Sequence, residues 1–315
     1  MVQLSRISLR HVLTGALAAA FACLATPVAA GAYTSEQSGA EVRDYWTPER
    51  METAIPGDAL LRDAAAAVPI GDLDLGLGPT SARRAQAERV DKPRSKPFRT
   101  HGKVFFTLGL VDYVCSGTSV KSKTESLVVT AGHCTYSEAD GYASNFMFVP
   151  AYDNGDTPFG EWTAKKLKAT PQWENNENIS YDVGMATMGK RNDKKLANVV
   201  GKRGIAFDVG RNVRFDVFGY PAEDPYNGER MYRCDSPAQG PDNSQNKPKP
   251  TRIDCDMTGG SSGGGWVLPG GDVNSVVSYG YECTIIILPC GNPEEGKLFG
   301  PYFGNEIKKL YKSQK

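Results

Sequence analysis

The sequence predicts an all-β body followed by one short C-terminal helix, and three observations carry that prediction. Short runs of β-branched and aromatic residues recur between turn-forming stretches. The 315 residues include 34 Gly and 20 Pro, a density of punctuation that favours turns and strands over long helices. Clear helical spacing shows in the body only near its end, at Asn305–Tyr311, where Ile307 and Leu310 share one face.

The strands follow in chain order. Val104–Leu108, Leu127–Thr130 and Phe146–Val149 are apolar runs of strand length, and Val213–Phe218 alternates apolar with polar residues. Ser275–Tyr279 and Cys283–Leu288 add two more before the helix. No repeat of solenoid length appears. The formal net charge of +0 argues against a general nucleic-acid or membrane-surface binder, and 40% hydrophobic residues suffice for a packed core.

The first hundred residues differ from this body. Arg6 and Arg10 precede an apolar run from Val12 to Ala25, and Val28-Ala29-Ala30 offers small residues for cleavage, so 1–30 reads as an export signal. Between Gly31 and Thr80 there are nine Asp/Glu against three Arg, and Asp58–Val68 is a short helix stopped by Pro69. Ser81–Lys103 reverses the sign, with eight Lys/Arg against Glu88 and Asp91. Charge, Pro93 and Pro97 predict a solvated linker there, a place where a propeptide is cut. The expected division is signal 1–30, propeptide and basic linker 31–96, and body 97–315.

Export makes sense of the cysteines. Cys23 leaves with the signal, and the remaining six form an even set with fifteen possible pairings. Sequential pairing, Cys115–Cys134, Cys234–Cys255 and Cys283–Cys290, is expected. Metal ligation competes weakly, because no C-x-x-C pair exists and His is scarce.

Chemistry concentrates at Met257-Thr-Gly-Gly-Ser-Ser-Gly-Gly-Gly-Trp266. Glycine this dense before an apolar run brings backbone close to something, and a serine among inward-pointing amides is a place for acyl attack. A flexible Gly/Ser linker is the plain alternative. A nucleophile needs a base, and three histidines exist: His11 in the signal, His101 at the linker edge, where solvation is expected, and His133. His133 follows an apolar strand as Thr130-Ala-Gly-His-Cys134, beside a cysteine able to tie the loop down. Asp182, directly before the apolar Val183-Gly-Met185, is the best carboxylate to orient an imidazole.

Thr130-Ala-Gly-His-Cys134, Asp182-Val-Gly-Met185 and Gly260-Ser-Ser-Gly-Gly264, in that order, resemble the chymotrypsin-like (trypsin-like) serine endopeptidases. The likeness extends to the secreted microbial branch related to glutamyl endopeptidases, and it covers about Gly102 to Tyr311. The chain order excludes an α/β-hydrolase, where Ser comes first and His last. The resemblance implies two six-stranded antiparallel β-barrels, about 97–205 and 206–315, with the site between them. It implies Ser262 as nucleophile, His133 as general base and then acid, and Asp182 as orienting carboxylate. The N–H groups of Gly260 and Ser262 would form the oxyanion hole, worth about 3 kcal/mol per donor. Cys115–Cys134 matches the family's bridge across the histidine loop, and Ser278-Tyr279-Gly280 the strand that pairs with substrate backbone.

Ser261 stands where animal members carry an aspartate, and no Ile-Val-Gly-Gly start follows a basic residue, so activation by a new N-terminal salt bridge is not expected. Removal of the propeptide would instead uncover the cleft. Gly265 stands where proline is usual. Asp256, six residues before Ser262, sits at the offset of an acidic pocket floor for Lys or Arg, with Glu or small side chains as competing preferences. The sequence thus predicts a secreted, monomeric serine endopeptidase made as a latent precursor. It would act on protein or peptide without cofactor, metal, nucleic acid or membrane. A catalytically silent peptidase-like binding protein is the alternative. Asn178-Ile-Ser180 is a glycosylation sequon.

Overall fold

Residues 33–61, 86–280 and 296–314 are described by a computed structural model of the chain. Six strands of the first half pair in a closed ring. They are β4 (His101–Leu108), β5 (Val111–Val120), β6 (Leu127–Thr130), β9 (Ser144–Pro150), β10 (Trp162–Ala169) and β11 (Gly184–Met188). Each pairs antiparallel with the next around the order β4-β5-β6-β11-β10-β9, and β9 returns to β4. A small hairpin, β7 (Tyr136–Ser137) with β8 (Gly141–Tyr142), hangs from this barrel. The second half forms a sheet in the order β16-β15-β12-β13-β14-β17. Its strands are β12 (Arg214–Gly219), β13 (Tyr232–Pro241), β14 (Thr251–Asp254), β15 (Gly265–Val267), β16 (Val273–Val276) and β17 (Lys297–Gly300).

Alternation decides which way each strand faces. On β4, Val104 and Phe106 join a cluster with Phe148, Trp162 and Leu196 inside the first barrel. Phe105 points the other way, into a cluster with Met147, Phe218, Tyr220 and Val276 that bonds the two halves together. Phe215, Val217, Ile253 and Trp266 fill the second half. The C-terminal helix Asn305–Ser313 buries Ile307 and Leu310, the face its spacing predicts. The predicted strands over 104–108, 127–130, 146–149 and 213–218 are all found, with ends shifted by at most a few residues. The strand predicted at 275–279 forms as β16, two residues earlier. The one predicted at 283–288, the Cys283–Cys290 pair and the signal 1–30 lie outside the described residues.

The region before the body departs from expectation. A solvated linker is predicted over 81–103, but from Ala87 onward the chain docks. Strand β3 (Glu88–Arg89) adds to β13, Val90 is buried, and His101 opens β4. The backbone of this basic stretch finds partners on a sheet edge, while its charges find carboxylates. Arg94 pairs with Asp156 at 2.7 Å, and buried Lys103 with Glu229 at 3.3 Å. His101 is buried rather than solvated, with Nδ1 2.9 Å from Thr118 Oγ1 and its ring stacked on Phe218.

The acidic leader is folded too. Strand β1 (Tyr33–Thr34) extends the first barrel beside β10, and β2 (Ile55–Pro56) runs parallel to β5. Between them lie helices α1 (Gly39–Tyr45), capped by a Ser38/Glu41 box, and α2 (Pro48–Thr53), capped by Thr47. The helix predicted from Asp58 begins at Ala59, and its remainder falls outside the described residues.

Candidate active site

The histidine loop leaves β6 and is pinned by the Cys115–Cys134 disulfide to β5; Cys234–Cys255 braces the second half. Both bridges follow the expected pairing. His133, Asp182 and Ser262 are 1%, 0% and 0% exposed. Asp182 Oδ2 lies 2.8 Å from His133 Nδ1, and Asp182 Oδ1 accepts the His133 backbone N–H at 2.8 Å. A carboxylate only accepts, so Nδ1 carries the proton and Nε2 is left without a partner among the described residues. Gly132 permits this approach: a Cβ there would stand 2.8 Å from Asp182 Oδ1 and 2.7 Å from the Trp173 ring.

Burial and charge oppose each other at His133. Burial, the largest single influence, disfavours the imidazolium, but the charge and hydrogen bond of Asp182, joined by Asp58 and Glu177, outweigh it. His133 is therefore held above the ordinary histidine value of 6.5. The Cys115–His133–Cys134 group has ligand-type atoms within 4.8 Å of one another, but its sulfurs are consumed by the disulfide and offer no thiolate to a metal.

The glycine-rich stretch is a tight turn rather than a linker. Ser261 Oγ donates to Thr258 O at 2.7 Å, and the Gly264 N–H returns to Ser261 O at 2.9 Å. Gly263 adopts φ +81°, and a Cβ there would lie 2.0 Å from Thr130 Oγ1. Ser116, which the sequence reading did not single out, locks the turn to the first barrel. Its N–H donates to Ser262 O at 2.7 Å and its Oγ to Gly260 O at 2.9 Å. Nothing local marks Ser116 in the sequence, because the turn residues it holds lie more than a hundred positions away.

The predicted pocket residues divide. Ser278 joins the His133–Asp182 pair directly, since its Oγ donates to Asp182 Oδ2 at 2.5 Å. Ser278 N–H and Tyr279 pair with Phe299 on β17, and the Tyr279 hydroxyl donates to Asp242. Gly280 ends the described segment. Asp256 is half-buried and accepts the Ala87 N–H at 2.6 Å and the Tyr226 hydroxyl at 3.1 Å. Burial first, and then Asp256, push the Tyr226 phenol up. A groove of about 860 Å³ opens beside His133, walled by Tyr136, Trp173 and Glu177 of the body and by Ile55 and Leu60 of the leader.

A closed six-stranded barrel, a partner half-barrel and a buried His–Asp pair beside a glycine-bound serine define a serine peptidase of the two-barrel type. Comparison with known proteins agrees. The protease Anisep from Arthrobacter nicotinovorans is 43% identical, with TM-score 0.63, over 70% of this chain and 97% of that one. The thermostable serine protease AL20 from an extremophilic microorganism is 35% identical, with TM-score 0.62, over 69% of this chain and 96% of that one. A Glu endopeptidase solved with MPD shares the fold at 16% identity and TM-score 0.55, over 72% and 95% of the two chains. An extracellular metalloprotease of Bacillus subtilis (strain 168) is 33% identical over 72 residues, so the match spans only 22% of that protein and 23% of this chain. No protein-family profile matches the sequence. The chain belongs to the chymotrypsin-like serine proteases and is a serine-type endopeptidase, a hydrolase of peptide or protein substrates.

Proposed function

We propose that the protein is a secreted serine endopeptidase that cuts through an acyl-enzyme on Ser262 and is made as a latent precursor. The single observation that carries the reading is the buried His133–Asp182 pair, 2.8 Å apart, beside a serine whose neighbouring Gly260 N–H already holds an anionic oxygen. In this scheme His133 Nε2 takes the Ser262 proton as Oγ attacks the scissile carbonyl, while Asp182 fixes the tautomer and stabilises the imidazolium. The N–H groups of Gly260 and Ser262 receive the oxyanion. His133 then returns the proton to the leaving amine, and water releases the acyl group by the same route in reverse. The chemistry uses no metal or cofactor.

Extracellular destination rests on the signal-like residues 1–30 and the two disulfides, which persist in oxidising surroundings. Among the described residues, no helix is long and apolar enough to cross a membrane. Residues 31–96 are assigned as the leader and 97–315 as the monomeric catalytic body, which meets substrate along Ser278–Gly280. Asp256 makes Lys or Arg the first preference to test, and a peptide-library profile of processed enzyme decides between these, Glu and small residues. Ser262→Ala should abolish both casein hydrolysis and fluorophosphonate labelling. Unchanged labelling of that variant would overturn the assignment.

A further inference from the structure

Among the described residues the Ser262 hydroxyl makes no hydrogen bond to His133. It donates to Asp58 Oδ1 of the leader, and the Gly260 N–H donates to Asp58 Oδ2 at 2.7 Å. One carboxylate thus occupies one of the two proposed oxyanion donors and the proposed nucleophile. His133 Nε2, fully buried, has no hydrogen-bond partner among the described residues. A peptide C-terminus left after cleavage would bring the same chemistry: two oxygens, one negative charge, and no electrophilic carbon for a hydroxyl to attack.

We propose that Asp58 is a built-in product mimic that silences the uncut chain, taking the Gly260 N–H and the Ser262 proton at once so that His133 cannot engage the nucleophile. This rests on the serine-endopeptidase reading of the site and names its latch.

The latch is delivered by a folded arm rather than a loose tether. Strand β2 pairs with Tyr113 and Val114 of β5, and the next residue, Gly57, donates its N–H to Val114 O at 2.9 Å. Gly57 is pressed against the histidine-loop disulfide, where a Cβ would stand 2.7 Å from Cys115 Sγ. That contact fixes the backbone one residue before Asp58. Upstream, Trp46 is buried against Phe105 and donates its indole N–H to Asn145 O at 2.6 Å. Arg50 and Tyr45 both engage Asp112 of β5. The arm is therefore anchored at several points on the first barrel, and its tip crosses to the glycine turn of the second half. The negative charge it brings is among the groups that favour a protonated His133, the wrong state for a general base.

The test is the rate of fluorophosphonate labelling read at the mass of the uncut chain, in the first minutes, for wild type, Asp58→Ala and Asp58→Asn. Each is compared with wild-type chain processed by limited proteolysis. Uncut Asp58→Ala should label at least tenfold faster than uncut wild type and approach the processed form. Asp58→Asn should fall between, because a carboxamide keeps one acceptor oxygen but turns an NH₂ toward the second donor. If uncut Asp58→Ala melts cooperatively yet labels as slowly as wild type, the latch is disproved. Should Asp58→Ala fail to fold, Asp58→Asn decides alone: labelling at the wild-type rate disproves the latch, and faster labelling upholds it. Processed wild type that does not label at all sinks the enzyme reading instead, a separate and distinguishable failure.

Discussion

Two carboxylates reach the proposed catalytic residues, and they meet opposite sides of the site. Asp182 belongs to the body, is wholly buried, and accepts from His133 Nδ1, from the His133 backbone and from Ser278 Oγ. Asp58 belongs to the leader, is only half-buried, and accepts from Ser262 Oγ and Gly260 N–H. In the proposed mechanism the first completes the proton relay by orienting the base. Under the proposed latch the second interrupts that relay by taking the nucleophile. A carboxylate's role in this pocket is therefore set by which donor it meets and by whether its segment can leave, not by its chemistry.

The largest effect separating them is on turnover. Asp182→Asn in processed enzyme should lower kcat on the order of ten-thousand-fold, because an amide can present the wrong atom to Nδ1 and favour the wrong tautomer. Its KM should change little, since Asp182 touches no substrate. Asp58→Asn should leave processed enzyme untouched, as the proposed processing removes that residue with the leader. Steady-state kinetics on a peptide substrate check both statements, and comparable losses from the two variants would collapse the distinction.

A smaller effect concerns how firmly the leader is held. Trp46→Ala removes a buried indole and its hydrogen bond to Asn145 O. Truncations of this kind cost about 3–5 kcal/mol. If about 3 kcal/mol of that falls on docking, the uncut chain should label on the order of a hundredfold faster. It should melt at a lower temperature as well. Labelling that stays at the wild-type rate while the melt drops would place the anchor elsewhere in the leader.

How much of this was legible follows from the range of each interaction. His133, Asp182 and Ser262 could be picked out as candidates because each sits in a short local signature imposed by backbone geometry: Gly132 and Cys134 around the histidine, Gly184 after the aspartate, Gly263 and Gly264 behind the serine. Strand β6 was readable because its four residues are all buried. Strand β10 was not, since Lys165, Lys166 and Lys168 break its apolar pattern and its pairing is set by β9 and β11. β13 carries Pro237, Gly240 and Pro241, which read as a loop until β12 and β14 flank it. Charge misled over 86–103, where backbone pairing to a sheet edge outweighed the solvation of basic side chains. Asp58 read as a helix start, and helix does begin one residue on. Its second role depends on Ser262, 204 positions away, and leaves no local trace.

The subtlest difference between the two carboxylates is electrostatic, and it can be read in the titration of His133. Each favours the imidazolium, so deleting either must lower the pKa of the ring. Asp182 acts through both charge and a direct hydrogen bond, whereas Asp58 acts through charge alone and ranks behind it. In uncut chain carrying Ser262→Ala, which blocks self-cleavage, the ring should titrate above 6.5 when followed by NMR. Adding Asp58→Ala should move the midpoint down. Adding Asp182→Asn instead should move it down further, because burial, the largest opposing influence, is then left less opposed. The sign extends to stability. A histidine raised on folding stabilises the protein fully below its unfolded pKa and loses that contribution as pH rises through its folded pKa. The acid-side advantage of Asp182 over Asn should accordingly fade as pH climbs through the His133 titration. A midpoint that ignores Asp58→Ala would remove Asp58 from the groups acting on the ring, and one that falls more for it than for Asp182→Asn would reverse the ranking of the two carboxylates.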